Sequence, residues 1–238
     1  SGRGMALAFK LPEGQLHHMA MLNTPVFGAA TPQTFLDLMQ AMRPDPATGK
    51  PDPAKQQAFA QRHPEIANFM AWAQSAPWSS SYANTAYNGV HAFRFTSAAG
   101  EARYVRWSFV PQAPFEDFPA EQRQAAEASY LADELAARLA EGPVRWTLAV
   151  TLAEDGDPIE NPSQPWPEDR TRVTAGTFVL ERAYAEADGD CRDINFDPTI
   201  LPEGIAASAD PVLAARAAAY AVSFNRRQRE RAAAGEGN

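Results

Sequence analysis

The sequence predicts an α+β fold in which an antiparallel barrel or curved sheet of about six strands is decorated by helices. Two hairpins indicate the antiparallel order. One turns at Pro12-Glu13-Gly14 and the other at Ala98-Ala99-Gly100-Glu101, and each turn separates two segments of strand-like composition. Helical segments lie in the middle and at the end of the chain. The strands are predicted at residues 5–10, 15–22, 90–96, 102–110, 144–152 and 172–182.

Helices are predicted from capping residues, prolines and apolar spacing. Thr31 followed by Pro32 marks a helix start, and Pro64 splits a later segment because the residue before a proline resists the α conformation. The chain shows no repeat and no linker, so one domain is expected over 1–238, with a frayed tail over 228–238. The helical segments are 31–42, 52–75 (two short helices), 119–141 and 211 to about 231.

Composition argues against two classes of partner. Apolar residues make up 45% of the 238 residues, but no apolar stretch reaches the length of a membrane span. The net charge of −8 argues against nucleic acid and fits a small neutral substrate or a cofactor with its own counter-charges. Cys191, the only cysteine, excludes an internal disulfide and is expected to be half-buried. No signal peptide is recognised, which leaves cytoplasm and periplasm both open.

Three residues of the last predicted helix are candidates for a metal site: Asp210, Arg216 and Tyr220. Arg216 and Tyr220 are four residues apart, so their side chains share one helix face. A protonated phenol is a poor metal ligand, but an adjacent guanidinium favours the phenolate, which can bind ferric iron. Spacing alone is more often that of an ordinary amphipathic helix, so this hypothesis depends on the surrounding sequence.

The surrounding sequence supplies that context. A series of residues from Asn195 to Arg227 follows the order and spacing of a segment in a known protein family. Further segments that match this family extend back through almost all of the chain. The segments are Arg3-Gly4-Met5-Ala6-Leu7-Ala8-Phe9, Asn23-Thr24-Pro25-Val26-Phe27, Tyr87-Asn88-Gly89-Val90-His91-Ala92-Phe93, Val144 to Thr151, Trp166-Pro167, and Asn195-Phe196-Asp197-Pro198. In this order and spacing the chain resembles the catalase superfamily, and its shortness resembles the compact catalase-related haem peroxidases. The resemblance implies an antiparallel barrel of the catalase type, with the proximal ligand on the C-terminal helix.

The resemblance also implies a role for each proximal residue. Tyr220 would be the axial ligand of the iron in haem b, and Arg216 would stabilise its phenolate. His91 and Asp210 would continue a hydrogen-bonded relay behind Arg216.

Three other residues would contact the cofactor elsewhere. Arg227 would pair with a haem propionate, and Phe27 and Phe35 would pack near the distal haem face. No role is matched to three further histidines, which are expected at the surface: His17, His18 and His63.

The sequence departs from the family pattern on the distal side. The family's distal histidine lies upstream of Arg3-Gly4, so this chain is expected to be N-terminally truncated and to lack it. Leu22 stands where the family has a distal asparagine, and Asn23 comes one place later, which in a strand points to the other face. Phe224 replaces a polar residue one turn after Tyr220. A positioned acid–base side chain typically raises a reaction rate ~10²–10⁴-fold. Without the distal histidine, the chain is therefore expected to cleave peroxide weakly or not at all.

The implied function is reduction of hydrogen peroxide or an organic hydroperoxide with an external electron donor. Two alternatives stay open at this point. The barrel could bind haem or a hydrophobic ligand without turnover, or it could be a haem-dependent isomerase of fatty-acid hydroperoxides. Relatives of this kind often associate, so a homo-oligomer is expected by analogy.

Overall fold

The computed structural model describes residues 2–186 and 188–235. Within these residues the chain forms eight strands, and every strand pair is antiparallel. The strands are β1 (Gly4–Lys10), β2 (Leu16–Leu22), β3 (Tyr87–Asn88), β4 (Phe93–Thr96), β5 (Ala102–Pro111), β6 (Val144–Leu152), β7 (Arg172–Leu180) and β8 (Ile205–Ala207). Both predicted hairpins are confirmed, the first by the β1–β2 pairing and the second by the β4–β5 pairing.

The sheet is a curled half-barrel rather than a closed barrel. Its strand order is β1-β2-β3-β5-β4-β8, and β6 and β7 extend it from the other edge of β5. In the described part of the chain β1, β7 and β8 each pair on one side only, so the sheet keeps open edges. The predicted α+β class with an antiparallel sheet is confirmed, whereas the predicted closure into a barrel is not seen.

Six α-helices accompany the sheet in the described residues. Thr31 caps the first as predicted, its hydroxyl oxygen accepting from the backbone amide of Thr34 at 3.1 Å. No helix among residues 2–186 and 188–235 is long and apolar enough to cross a bilayer. The helices are α1 (Pro32–Ala41), α2 (Pro53–Arg62), α3 (Ala67–Ser75), α4 (Ala120–Ala125), α5 (Tyr130–Glu141) and α6 (Pro211–Gly235).

The last helix extends further than its predicted end near residue 231. It reaches Gly235 and so includes most of the predicted tail, while residues 236–238 lie outside the described residues. The single domain over 1–238 and the fraying of the tail stay predictions.

The prediction of a single helix over 119–141 is wrong, because the chain forms two helices there, α4 and α5, with a break at residues 126–129. The rings of Phe118 and Tyr130 stack with centroids 4.7 Å apart. In a continuous helix these residues would be roughly 18 Å apart at 1.5 Å per residue. The aromatic contact is therefore possible only because the chain turns between the two helices.

The expected exposure is also wrong at three residues. His17 and His18 are buried rather than at the surface, because β2 is covered on both faces. His17 packs edge-on to Trp107, with centroids 5.7 Å apart, in the main core. His18 lies on the opposite face against Phe196, at 6.0 Å, where the segment before β8 crosses the sheet. Cys191, expected to be half-buried, is exposed.

Candidate active site

A cavity of about 650 Å³ lies between the first turns of α6 and the strands β1 and β2. The helix residues recur at helical spacing, so a single face of α6 forms one wall. The sheet supplies the opposite wall from three consecutive residues on each of the two paired strands. The principal lining residues are Val212, Ala215, Arg216, Ala219 and Tyr220 from α6, Gly4, Met5, Ala6, Ala20, Met21 and Leu22 from the sheet, and Phe27, Phe35, Val90 and His91 beside them.

Arg216 and Tyr220 meet on the helix wall. An Arg216 Nη2 hydrogen bond is donated to the Tyr220 phenol oxygen, and the guanidinium carbon lies 5.1 Å from the Tyr220 ring centroid. Both side chains are half-buried and line the cavity. The predicted pairing is therefore present in the structure. The Tyr220 phenol oxygen therefore lies at the cavity wall beside a guanidinium that donates to it.

Behind this wall His91 and Asp210 form a buried pair. His91 Nδ1 lies 2.6 Å from Asp210 Oδ2. The other carboxylate oxygen accepts from the backbone amides of Val212 at 2.8 Å and Leu213 at 3.3 Å, so Asp210 also caps α6. Burial lowers the pKa of His91, and the hydrogen bond to Asp210 opposes that effect. Because a carboxylate only accepts hydrogen bonds, Nδ1 is the donor in this contact. The link from Asp210 to Arg216 that the relay requires stays a prediction.

Strand register brings His91 and Asp210 together. Phe93 of β4 pairs with Ala207 of β8, and the Ser208 amide donates to the Ala92 carbonyl at 3.3 Å. Antiparallel strands continue in opposite directions, so the residues just before β4 and just after β8 face each other. His91 and Asp210 occupy those positions, although 119 residues separate them.

Gly89 allows the chain to leave the sheet between β3 and β4 on the way to His91. Its amide donates to the Trp107 carbonyl at 2.9 Å. A Cβ at residue 89 would lie 2.5 Å from Trp107 Nε1, closer than side chains can approach. Only glycine therefore fits between the buried indole and the loop that carries His91.

The two predicted distal phenylalanines also lie at this cavity. The rings of Phe27 and Phe35 are 5.1 Å apart, and Phe27 is 6.3 Å from the imidazole of His91. Leu22 lines the same cavity, whereas the Asn23 carboxamide oxygen accepts from the Arg3 amide at 2.8 Å. The site thus combines a phenol–guanidinium pair and the His91 imidazole with an otherwise apolar wall.

Arg227 lies apart from the other predicted residues. It is exposed, stands seven residues beyond Tyr220 on α6 and lines a separate cavity with Phe196 and Tyr184. Its guanidinium carbon lies 5.8 Å from the Phe224 ring centroid. Its contact with a haem propionate stays a prediction.

Sequence reasoning missed the small residues of the cavity wall. Ala215 and Ala219 each precede a candidate site residue on α6, and Gly4 and Ala6 pair with Leu22 and Ala20 on the sheet. Small side chains at these positions leave a broad gap between helix and sheet. The signal was available in the sequence, since helical spacing from Tyr220 and alternation along β1 both select these positions.

The residues present fit a haem. The chain offers one oxygen donor beside a cation, small side chains on both walls and aromatic rings at the rim. Tyrosine is a known axial ligand of haem iron, and a planar apolar ring system fits a gap bordered by small residues. Tyr220 would hold the iron, with Arg216 as its charge partner.

Comparison with solved structures identifies the fold. A bacterial catalase superposes with a TM-score of 0.80 at 22% identity, covering 94% of this chain and 46% of the other. A fungal catalase gives 0.79 at 22% identity, with 94% and 47% covered. The architecture is therefore that of the catalase fold.

The chain belongs to the catalase family, whose sequence model matches residues 1–233. A catalase-related peroxidase of Synechococcus elongatus is 43% identical over 227 residues, which are 95% of this chain and 67% of that protein. One of Mycolicibacterium paratuberculosis is 35% identical, covering 94% and 71%. A catalase of Streptomyces coelicolor is 29% identical, covering 92% and 47%. The chain spans about half the length of the catalases that it matches.

Proposed function

We propose that the protein is a haem-dependent peroxidase that reduces hydrogen peroxide or organic hydroperoxides with electrons from an external donor. Membership of the catalase family and the two relatives described as catalase-related peroxidases support this class of reaction. The observation that carries the proposal is the Arg216–Tyr220 pair on the wall of a 650 Å³ cavity. The balanced reaction is ROOH + 2 e⁻ + 2 H⁺ → ROH + H₂O, where R is a hydrogen atom or an organic group.

The chain's own residues would prepare the site for this chemistry. Arg216 would hold the Tyr220 oxygen in place at the cavity wall through its hydrogen bond. Asp210 would cap the start of α6 with one carboxylate oxygen and hold the ring of His91 with the other. Phe27 and Phe35 would give the cavity an aromatic, apolar border. Haem b, when bound, would supply the redox-active iron at which the peroxide is reduced.

Replacing Tyr220 with phenylalanine tests the ligand assignment. The variant Tyr220→Phe keeps the ring and removes the phenol oxygen that would bind the iron, so we expect the haem-loaded protein to change its Soret and charge-transfer absorption. Tyr104→Phe is the matched control, because Tyr104 lies on β5 away from the cavity. A Tyr220→Phe protein that binds haem with the wild-type spectrum would contradict the assignment.

A second function, binding of an apolar ligand without turnover, is favoured by the leucine at position 22 in the cavity wall. Peroxide consumption by the haem-loaded protein separates the two functions, since turnover like that of a haem peroxidase rejects simple binding. Product analysis with a fatty-acid hydroperoxide separates reduction, which yields an alcohol, from isomerisation, which does not consume the donor. Association into a homo-oligomer belongs to the same proposal and rests on family analogy.

A further inference from the structure

His18 is a buried histidine that the proposed chemistry does not use. Its side chain is 5% exposed, and its Nδ1 atom is buried without a hydrogen-bond partner among the described residues. A buried polar atom without a partner loses its hydrogen bonds to water and gains none in return, so such atoms are rare in folded proteins. A hydrogen-bonding group supplied by a ligand would remove that cost.

His18 lies on the face of β2 that borders the cavity beside Tyr220, which we call the site cavity. Residues two apart on a strand share a face, so His18, Ala20 and Leu22 point the same way. Ala20 and Leu22 line the site cavity, and His18 stands about 7 Å further along this face at 3.3 Å per residue. His17, by contrast, faces the main core.

The helix wall of the site cavity leads to the neighbourhood of His18 as well. Beyond Tyr220, α6 continues to Arg227, which lines a neighbouring cavity of about 930 Å³ together with Phe196. The Phe196 ring contacts His18, with ring centroids 6.0 Å apart. The His18 amide also donates to the Ile200 carbonyl at 3.0 Å, which fixes the segment that carries Phe196 against β2. Phe196 therefore connects His18 with the cavity that Arg227 lines.

A haem in the site cavity would bring two propionates besides its iron. Carboxylates are costly to bury unless they are hydrogen-bonded or paired with a cation. Arg216 lines the site cavity, but its Nη2 atom already donates to the Tyr220 oxygen. Arg227 is the expected partner of one propionate, so a second donor is needed for the other. An imidazole can fill that need, since a neutral ring has one N–H donor and a protonated ring has two.

We propose that His18 binds a haem propionate by donating a hydrogen bond from its imidazole ring. The inference rests on the proposed function for the presence of haem, but it concerns retention of the cofactor and not the chemistry of the peroxide. It gives this chain a propionate donor on the sheet, in addition to the cation expected on the helix. His18 would hold the cofactor in place and would contact no reacting atom.

The test compares haem with its dimethyl ester, in which both carboxylates are blocked. Each porphyrin is loaded on the full chain, and its loss to an excess of a haem scavenger is followed at the Soret band. His18→Leu removes both ring nitrogens, so we expect it to release haem at least about tenfold faster than the wild type, which is the factor that a hydrogen bond to a charged group contributes. Release of the dimethyl ester should change much less. Equal changes for the two porphyrins would overturn the proposal.

His17→Leu is the matched control, because His17 is the adjacent residue, is equally buried and lies on the opposite face of β2. Whatever its effect on stability, we expect it to leave the ratio of the two release rates unchanged. His18→Asn keeps an N–H donor near the position of Nδ1, so it should retain most of the wild-type preference for haem. A direct contact is refuted where His17→Leu changes the ratio as much as His18→Leu, or where His18→Asn behaves like His18→Leu.

A measurement on the wild-type protein keeps the test decisive where His18→Leu does not fold. Gallium(III) protoporphyrin is diamagnetic, so nitrogen-15 spectra of histidine-labelled protein can be recorded in its complex. We expect the His18 ring proton to be protected from exchange in this complex and not in the complex with the dimethyl ester. Protection in both complexes, or in neither, overturns the proposal.

Peroxide turnover separates this inference from the proposed function. Selective loss of haem from His18→Leu, together with no turnover by the haem-loaded wild type, refutes the peroxidase and upholds the propionate contact. Turnover by the wild type, together with equal changes for haem and its dimethyl ester in His18→Leu, upholds the peroxidase and refutes the contact. A chain that retains neither porphyrin refutes both.

Discussion

The clearest energetic prediction concerns Asp210, because one fully buried carboxylate serves two elements. It is 0% exposed, accepts from two backbone amides of α6 and accepts from His91, which is 3% exposed. Asp210→Ala removes the helix cap, which costs about 1 kcal/mol. It also leaves the His91 Nδ1 donor buried without its partner, which costs about 1–3 kcal/mol. We therefore expect the free energy of unfolding to fall by about 2–4 kcal/mol in urea titrations at pH 7.

Two further variants test the reasoning behind that sum. Asp52 caps α2 with one amide bond at an exposed site, so Asp52→Ala should cost about 1 kcal/mol or less. In a His91→Phe background the buried donor is absent, so Asp210→Ala should there cost only its cap energy. Equal losses for Asp52→Ala and Asp210→Ala, or an unchanged loss in the His91→Phe background, would refute the double role of Asp210.

Two other predictions concern stability. Burial, with a smaller effect of His18, lowers the pKa of His17 from 6.5 to about 4. The unfolded chain therefore takes up the proton first as pH falls below 6.5, and stability should drop by about 3 kcal/mol between pH 7 and pH 4. Urea titrations should show His17→Phe losing less over that range, and an equal loss would contradict the burial argument. Gly89→Ala drives a Cβ against Trp107 and should cost about 1–3 kcal/mol, whereas Gly176→Ala meets no atom within 4 Å and should cost little; thermal unfolding compares the two.

Local elements could be predicted from the sequence because their signals are local. The turn at residues 12–14, the Thr31 cap and the break before Pro64 each depend on neighbouring residues only, and all three are present. The Arg216–Tyr220 contact belongs to the same class, since helical spacing alone places the two side chains together.

Features that depend on distant packing could not be predicted in this way. The alternation along β2 gives no sign that the segment near Phe196 covers its second face, so it does not reveal the burial of His17 and His18. The contact of Phe118 with Tyr130 likewise outweighs the helical composition of residues 119–141. In both cases tertiary contacts override a local pattern that reads correctly by itself.

The pairing of His91 with Asp210 is the long-range feature on which the candidate site depends. In the sequence only the family resemblance connects these two residues, because no local rule relates positions 119 residues apart. The structure supplies the physical reason in the β4–β8 register, which sets Phe93 opposite Ala207. A one-residue slip of that register would point alternate side chains to the other face and separate the imidazole from the carboxylate. The three-residue strand β8 thus fixes where α6 begins, and the start of α6 fixes where Arg216 and Tyr220 face the cavity.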